Sequence, residues 1–483
     1  MQQKQEFDYL IIGGGVIGSA VFDALCMYKT NVALIEKAHD VGTKASGANS
    51  GIVHAGYDCK PNTLKAKFNV EGNSLIWSVV NDLSVPSEQC GSLVLAEKNQ
   101  LNILEHLREQ GIKNGVETKI VSDDELKEIE ANLTQNIKYG LYANSAGVVS
   151  PYKLTIAYAD RGILNGGKIF LDCGVKNIEK VGKYFNVYTP SGIFSAKTVI
   201  NAAGEHGAEI NDMLGYEHFE TKYRRGEYCL LDKSERKNVS TVLFPLPTEK
   251  GKGILVAPTA DGNVIYGPTS IDTEVGDTET TYDGLNEIKN GISNMYAKSN
   301  MSNVIRVYAG LRTIIGDDFI VKKSEYDKHF YMAIGICSPG LTSAPAIAKY
   351  ISEEIQKSDK LKKKNKPVVK LQKEKRIVDM TPDEAKAFIG KDTTKSNIIC
   401  KCEKVTEYEI LKAIHSPLGA RTVEAVKKRV RAGMGKCQGG FCQPKIVEIL
   451  SRELKIPITE VRKDYQNSNI AVSKIKGLPS DKE

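Results

Sequence analysis

The sequence predicts an α/β protein with a second, inserted sheet and a small helical module towards its C-terminal end. Apolar runs at residues 9–12 and 32–35 flank a helical stretch, which is the strand–helix–strand order of a parallel sheet. Short apolar runs between residues 222 and 267 predict a mixed antiparallel sheet that is inserted into this fold. Two cysteine pairs, separated by helical stretches, predict a small α-helical, cysteine-rich C-terminal domain.

A glycine-rich turn joins the first strand to the helix. Gly13, Gly15 and Gly18 have the spacing G-x-G-x-x-G, and the second strand is followed by an acid, Glu36. In dinucleotide-binding folds the first glycine permits a tight turn, the second lets the backbone approach a pyrophosphate, and the third lets the helix pack close to the strand. Glu36 would accept a hydrogen bond from the adenosine ribose, so this segment predicts a Rossmann-type dinucleotide site.

The loop at residues 41–61 is rich in glycine, serine, alanine and asparagine. Small side chains let such a loop lie against a planar ligand, to which Ser46, Asn49 and Ser50 offer hydroxyl and amide groups. His54 is the candidate acid–base group of the loop, although a single histidine is more often structural than catalytic.

Two later segments predict close contact with the same ligand. One strand runs into the small residues Ala203 and Gly204, which allow another backbone or a cofactor to approach. Gly340, Leu341 and Thr342 precede an apolar helix, whose N-terminal end would point towards the cofactor.

The inserted sheet contains the candidate anion-binding residues Arg224, Arg225 and Lys252. Each of them taken alone is more often a solvated surface charge than a ligand-binding group.

The cysteine-rich segment predicts a metal centre. Cys400 and Cys402 are followed by Cys437 and Cys442, with glycines on both sides of the second pair. Four thiolates suit either a tetrahedral zinc ion or an iron–sulfur cluster, and C-x-C is a poorer zinc clamp than C-x-x-C. Backbone N–H groups exposed by the glycines would donate hydrogen bonds to cluster sulfur atoms. The other six cysteines are scattered and are expected to be reduced.

Length and composition narrow the class of protein. The 483 residues predict several domains, with boundaries at residues 1–356, 357–392, 393–456 and 457–483. Much of the net charge of +7 lies in the lysine-rich run at residues 357–376, which predicts a solvated linker. The single tryptophan offers no stacking platform for nucleic acid.

No signal-peptide pattern or membrane-spanning stretch is present, so the sequence predicts a cytoplasmic protein. Peripheral attachment to the inner face of a membrane remains an alternative.

These motifs together resemble two known families. The glycine turn with Glu36, the loop ASGANSGIVHAG, and the segments NAAG, AGLR and SPGLT resemble the FAD-dependent oxidoreductases of the D-amino-acid oxidase and glycerol-3-phosphate dehydrogenase superfamily. Residues 398–452, with CKCEKVTEYEI and RAGMGKCQGGFCQPKI, resemble the bacterioferritin-associated-ferredoxin-like module, which carries a 2Fe–2S cluster. Both modules in one chain are similar to the catalytic subunits of the anaerobic glycerol-3-phosphate dehydrogenases.

The resemblance implies roles for individual residues. Ser46, Asn49, Ser50 and Gly340 to Thr342 would lie near the flavin, Ala203 and Gly204 beside the dinucleotide, and Val175 at the adenine through its backbone. Arg312, together with Lys252, would bind the substrate anion. His54 would be the catalytic base. The four clustered cysteines would hold the 2Fe–2S cluster.

The implied activity is the oxidation of sn-glycerol 3-phosphate to dihydroxyacetone phosphate, with electrons leaving through the cluster to an acceptor protein or quinone-linked subunits. The loop NSGIVHAGYD is also close to that of the L-2-hydroxyglutarate dehydrogenases, so the small anionic hydroxy substrate could carry a carboxylate instead of a phosphate. An amino or imino acid dehydrogenase, a non-catalytic redox protein and a zinc-binding module are further alternatives.

Overall fold

The computed structural model describes residues 4–247, 251, 253–365, 369, 371 and 375–473. The chain divides into two compact units: the first comprises Met1–Lys37 and Val41–Gln372, and the second comprises Ala38–Asp40 and Lys373–Glu483. Among the described residues, no helix is both long enough and apolar enough to cross a lipid bilayer.

The first unit is built from strands and helices that alternate along much of the chain. Its strands are β1 (Lys4–Ile12), β2 (Val32–Ile35), β3 (Ile52–Val53), β4 (Ser87–Glu88), β5 (Ser92–Glu97), β6 (Lys119–Ser122), β7 (Ile137–Ala143), β8 (Gly147–Val149), β9 (Lys168–Phe170), β10 (Asn177–Val181), β11 (Tyr184–Thr189), β12 (Gly192–Asn201), β13 (Lys222–Leu231), β14 (Val242–Phe244), β15 (Leu255–Pro258), β16 (Val264–Gly267), β17 (Ile271–Thr273), β18 (Val304–Ile314), β19 (Ile320–Lys323) and β20 (Phe330–Ile334). Its helices are α1 (Val16–Leu25), α2 (Leu64–Asp82), α3 (Leu101–Lys113), α4 (Asp123–Ile129), α5 (Pro151–Leu164), α6 (Gly207–Met213), α7 (Tyr282–Ser293) and α8 (Gly340–Asp359).

The cofactor-type sheet has parallel strands at its centre. Strand β1 lies between β12 and β2, β9 continues beyond β2, and β20 pairs with β12, all of them in parallel. The antiparallel strands β10, β11 and β19 extend this sheet at its margins. The strands carry continuous buried runs, as expected for parallel strands that are covered on both faces.

Four helices, α1, α2, α5 and α8, pack together on one face of this sheet. Helix α1 packs against α5 and α8, and α2 packs against α8. Gly72 of α2 permits the second contact, because a Cβ atom there would lie 2.1 Å from the carbonyl oxygen of Thr342. The interface buries Phe22, Phe68 and Ile347 completely and fixes the start of α8 relative to β3.

The second sheet of this unit has nine strands in the order β17-β13-β16-β15-β14-β5-β7-β6, with β18 paired to β13. Its neighbours are antiparallel except for β14 and β5, so the prediction of a mixed antiparallel sheet is confirmed. The sequence had not assigned β5, β6 and β7 to it. These three strands join the sheet through the pairing of β5 with β14, which connects segments that lie about 150 residues apart.

The described part of the lysine-rich run is not the solvated linker that the sequence predicts. The N–H of Lys29 donates to the carbonyl oxygen of Lys362 at 2.8 Å, and the N–H of Lys364 donates to that of Met27 at 2.9 Å. For these residues the prediction of a solvated linker is wrong, since backbone hydrogen bonds hold them against the end of α1.

The second unit is small and mainly helical. It contains α9 (Pro382–Ile389), α10 (Thr393–Ser396), β21 (Ile398–Cys400), β22 (Val405–Thr406), α11 (Glu407–Ile414), α12 (Val423–Val430) and α13 (Gln443–Leu454). A capping box of Thr406 and Glu409 starts α11, and Thr422 caps α12. Apolar faces of α11, α12 and α13 meet in a core with Ile410, Val426 and Leu450 fully buried. The predicted α-helical C-terminal domain is confirmed.

Candidate functional site

A cavity of about 1450 Å³ lies in the first unit, at the carboxyl ends of the parallel strands. It brings together most of the residues that the sequence had singled out: Gly13, Gly15, Glu36, Ser46, Asn49, Ser50, His54, Val175, Ala203, Gly204, Arg312, Gly340 and Leu341. Gly18 and Thr342 do not line the cavity. Gly18 lies in the first turn of α1, and Thr342 accepts a hydrogen bond from the backbone of His54. Lys252 lies outside the described residues.

The glycine turn has no room for side chains. Gly13 has φ +107°, and a Cβ atom there would lie 2.4 Å from the carbonyl oxygen of Ala202. A Cβ atom on Gly18 would lie 2.0 Å from the carbonyl oxygen of Gly13, so the third glycine lets α1 pack on the turn. The N-terminal end of α1 therefore faces the cavity, where the positive end of the helix dipole favours an anion such as a pyrophosphate.

Glu36 and Ser46 both accept hydrogen bonds from the backbone of this turn. Glu36 Oε2 accepts a hydrogen bond from the N–H of Gly14 at 2.6 Å, and Ser46 Oγ accepts one from the N–H of Val16 at 2.8 Å. Asn49 braces the loop internally, donating from Nδ2 to the carbonyl oxygens of Ala45 and Ser46. The site thus fits a dinucleotide: a glycine turn, a helix N-terminus and a carboxylate at the end of the second strand.

His54 is fixed through its backbone, while its ring borders the cavity. Its N–H donates to Thr342 Oγ1 at 2.9 Å, and its carbonyl oxygen accepts from Asn73 Nδ2 at 3.1 Å. Its Nε2 atom lies 3.4 Å from Ser338 Oγ, and its ring centroid lies 5.9 Å from that of Phe244. Helices α2 and α8 and strand β14 therefore orient one imidazole, which is the arrangement that a proton-transferring histidine requires. The sequence had not singled out Ser338 or Phe244.

Arg312 lies on β18, opposite Arg224 of β13. Its Nη2 atom donates to the carbonyl oxygen of Thr269 at 3.4 Å, and its guanidinium is hydrogen-bonded to the hydroxyl of Tyr228. Burial raises the pKa of Tyr228, although the neighbouring Arg312 opposes the shift. The guanidinium is thereby held towards the cavity and can offer paired N–H donors to an anion.

Tyr228 also connects Arg312 to the loop that carries Asn49. The rings of Tyr228 and Tyr308 stack with centroids 5.0 Å apart and planes 17° apart, and Tyr308 donates its hydroxyl proton to the carbonyl oxygen of Asn49 at 3.2 Å. The anion-binding side chain and the loop under the planar ligand are therefore positioned by one pair of aromatic rings.

The two other arginine candidates differ in their surroundings. Arg224 lines the cavity and donates from Nε to Asp272 at 2.8 Å. Arg225 is buried between Asp277 and Glu227, as an ion pair inside the inserted sheet. Arg225 is therefore a structural residue, and the interpretation of it as an anion binder is wrong.

Charged residues that the sequence had not singled out border the cavity beside Glu36. Lys44 Nζ lies 3.2 Å from Glu205 Oε1, and Lys37 Nζ lies 2.6 Å from His206 Nε2. A hydrogen bond from His206, reinforced by Lys44, lowers the pKa of Glu205 to about 2. The same hydrogen bond raises the pKa of His206.

The second unit gathers the four predicted cysteines around two loops. Cys402 Sγ lies 3.6 Å from Cys437 Sγ, and the thiols of Cys400 and Cys442 are hydrogen-bonded to each other. That hydrogen bond lowers the pKa of Cys400 to about 6 and raises the pKa of Cys442. Among the described residues no three histidine, cysteine or acidic side chains surround a single metal position, and the thiols lie instead as two pairs. Two pairs fit a diiron cluster, which needs two thiolates on each iron.

The predicted backbone donors are also present. The N–H groups of Gly439 and Phe441 lie close to the Cys437 sulfur and lower its pKa, and the N–H of Gly433 does the same at Cys400. A Cβ atom on Gly435 would lie 2.3 Å from the Cys402 Cβ, so this glycine lets the two cysteine loops meet. Such donors stabilise thiolate ligands and raise the reduction potential of a cluster.

Two family models match the chain. Residues 8–354 match the family described as FAD dependent oxidoreductase, and residues 398–452 match the BFD-like 2Fe–2S binding domain. The matched segments contain the cavity residues and the four cysteines, respectively.

Individual relatives agree with these matches. The chain is 42% identical to a glycerol 3-phosphate dehydrogenase of Caloramator mitchellensis, over 96% of this chain and 98% of the relative. The solved structure of a dithionite-reduced L-alpha-glycerophosphate oxidase of Mycoplasma pneumoniae with FAD bound is 30% identical and has a TM-score of 0.72. It is aligned over 76% of this chain and 98% of its own. An L-2-hydroxyglutarate dehydrogenase of Indibacter alkaliphilus is 31% identical over 55% of this chain and 68% of the relative.

Proposed function

The chain belongs to the FAD-dependent oxidoreductase family, with a 2Fe–2S binding domain in addition, and from this premise we propose that it oxidises sn-glycerol 3-phosphate to dihydroxyacetone phosphate. The observation that carries the proposal is one cavity in which a dinucleotide turn, an oriented imidazole and a braced guanidinium meet. Extensive identity to a glycerol 3-phosphate dehydrogenase, across both modules, supports the choice of substrate.

The proposed base is His54. FAD, when bound, takes up the hydride that leaves C2 of the substrate. His54 accepts the proton of the C2 hydroxyl at Nε2, which raises the electron density on C2 and makes hydride departure easier. A positioned base contributes roughly 10²–10⁴-fold to such a step. Phe244 packs beside the imidazole and limits the access of water to it.

Arg312 is the proposed binding group for the phosphate. Its guanidinium can form two parallel hydrogen bonds to phosphate oxygens, and Tyr228 and the carbonyl of Thr269 fix its direction. Holding the anionic end in this way sets the position of C2 relative to His54. The participation of Lys252 in phosphate binding remains a prediction from the sequence.

We further propose that the electrons leave through the cluster to a protein or quinone-linked acceptor and not directly to oxygen. The presence of a one-electron centre in the same chain supports this proposal. Oxidation of the substrate releases two electrons, and a 2Fe–2S cluster passes them one at a time to carriers that accept single electrons.

The test is anaerobic mixing of the purified holoprotein with glycerol 3-phosphate and, separately, with L-2-hydroxyglutarate and L-proline, while the flavin absorption band is followed. We expect fast bleaching by the phosphate alone and dihydroxyacetone phosphate as the product. Bleaching by the hydroxy acid alone would assign Arg312 to a carboxylate and overturn the substrate proposal. Bleaching by the imino acid alone would replace alcohol oxidation by amine oxidation.

A further inference from the structure

The cysteine loops of the second unit expose one edge of the proposed cluster. Cys400 and Cys442 are buried, whereas Cys402 is exposed to solvent. Phe441, which directly precedes Cys442, has 76% of its surface exposed, and its backbone N–H is engaged with the Cys437 sulfur. Among the described residues, Phe441 is the one phenylalanine with such exposure, and aromatic side chains are enriched at the centres of protein interfaces.

The two cysteine loops carry a single sign of exposed charge. Four exposed lysines lie within three residues of a cluster cysteine: Lys401, Lys404, Lys436 and Lys445. The two loops, residues 400–404 and 431–445, contain one carboxylate, that of Glu403, which is buried and paired with Arg431 at 2.9 Å. A thiolate-ligated cluster is itself anionic, so these ammonium groups determine whether the edge attracts or repels an acidic partner.

We propose that this edge, the cluster face (Lys401, Cys402, Lys404, Lys436, Phe441 and Lys445), is the docking surface for an acidic one-electron carrier protein. The lysines steer a carrier of opposite charge and set the rate of encounter, and Phe441 supplies the apolar contact at the centre of the interface. The exposed Cys402 then gives the carrier the shortest path to the cluster.

The proposal rests on the proposed function for its source of electrons. Oxidation of one glycerol 3-phosphate to dihydroxyacetone phosphate releases two electrons and two protons. The electrons leave one at a time, so two carrier molecules are reduced for each substrate, and the protons pass to solvent. No oxidant other than the carrier is required.

Docking can be tested without the substrate. The holoprotein is reduced anaerobically with a stoichiometric amount of dithionite and mixed with either native cytochrome c, which is basic, or succinylated cytochrome c, in which the lysines carry carboxylates. We expect the succinylated form to be reduced at least about tenfold faster at low ionic strength, and this advantage to fall as salt is added. Faster reduction of the native form would overturn the proposal.

Variants separate the cluster face from the net charge of the protein. The triple variant Lys401→Gln, Lys404→Gln, Lys445→Gln should slow the reduction of succinylated cytochrome c about tenfold. The triple variant Lys386→Gln, Lys391→Gln, Lys455→Gln removes the same charge at exposed positions outside both loops and should leave the rate unchanged. Phe441→Ala should raise the concentration of carrier needed for half-maximal rate at least about threefold. Its matched control is Tyr465→Ala, which removes an aromatic residue with 69% exposure outside the cysteine loops.

A binding measurement completes the test. With both proteins oxidised, so that no electron is transferred, the triple variant should bind fluorescently labelled succinylated cytochrome c at least about fivefold more weakly than the unchanged protein. Equal binding by both would contradict the proposal. If the variants instead slow the reduction of the cluster by substrate and leave its reoxidation unchanged, the face serves transfer within the chain and the proposal is wrong. Failure of glycerol 3-phosphate to bleach the flavin would affect the proposed function alone, because the dithionite experiment does not use it.

Discussion

The Nε2 atom of His54 and the Oγ atom of Ser338 lie 3.4 Å apart, although 284 positions separate the two residues in the chain. Ser338 precedes α8, and Thr342 in the first turn of that helix accepts a hydrogen bond from the His54 backbone. The start of α8 therefore holds both the backbone and the ring of the proposed base.

Replacing the proposed base tests its role. His54→Gln should slow flavin reduction by glycerol 3-phosphate roughly 10²–10⁴-fold, because glutamine offers no proton-accepting nitrogen, while FAD stays bound. Stopped-flow absorption gives the rate, and the flavin-to-protein ratio gives the FAD content. His106→Gln, at an exposed position of α3, is the control and should behave as the unchanged protein. An unchanged rate in His54→Gln would refute the assignment.

Tyr228→Phe tests the bracing of the anion-binding guanidinium. Removing the hydroxyl should raise KM for glycerol 3-phosphate about tenfold with a smaller change in kcat, because a hydrogen bond to a charged group contributes about 1.5–3 kcal/mol. Steady-state kinetics at several pH values measure both constants. The matched control is Tyr158→Phe, since the buried Tyr158 hydroxyl has no hydrogen-bond partner among the described residues. Equal KM values in the two variants would show that Tyr228 does not position Arg312.

Gly18→Ala tests the close approach of α1 to the glycine turn. A methyl group there would lie 2.0 Å from the carbonyl oxygen of Gly13, so the turn must shift and FAD affinity should fall by at least about tenfold. Flavin release during gel filtration and a titration with FAD measure this loss. Gly182→Asn is the control, because its Cβ would meet nothing within 4 Å and asparagine tolerates the left-handed φ of +58°. Full retention of FAD by Gly18→Ala would contradict the packing argument.

The pair of Glu205 and His206 predicts a pH-dependent contribution to stability. The pKa of Glu205 is lowered to about 2, so its contribution is complete above its ordinary pKa and is lost as the pH falls towards 2. The pKa of His206 is raised above 6.5, so its contribution is complete below 6.5 and is lost as the pH rises through the raised value. The difference in Tm between the unchanged protein and Glu205→Gln should therefore be largest between about pH 4.5 and 6.5.

Thermal unfolding across pH 3–9 measures this difference. It should shrink on both sides of that window, and the alkaline decrease should be absent when Glu205→Gln is compared within a His206→Gln background. A difference that is constant across the whole range would contradict the assigned ionic pair.

Local patterns predicted much of the site, whereas contacts between distant segments could not be predicted. Gly13, Gly18 and Glu36 lie within one short strand–helix–strand unit, where spacing alone determines geometry. Ser338 meets His54 only through the packing of α8 against α2, which no local pattern encodes. Arg225 has the same sequence-level character as Arg224, and only the pairing of β13 with β17 and the position of Asp277 make it structural.

In the cysteine module, too, the local pattern predicted the ligands but not their contacts. Four cysteines and their glycines predicted a metal centre, but their spacing did not show which sulfur atoms lie next to each other. The structure pairs Cys402 with Cys437, and Cys400 with Cys442, because Gly435 lets the two loops meet. The exposure of Phe441 likewise depends on the fold of the loop and not on its composition.

The most direct test of the central claim is an anaerobic titration of the holoprotein with glycerol 3-phosphate, followed by visible absorption for the flavin and by electron paramagnetic resonance for the cluster. We predict that both centres become reduced, with an end point of about 1.5 equivalents of substrate, because the two centres together hold about three electrons. Reduction of the flavin without any reduction of the cluster, or no reduction of either by this substrate, would contradict the account.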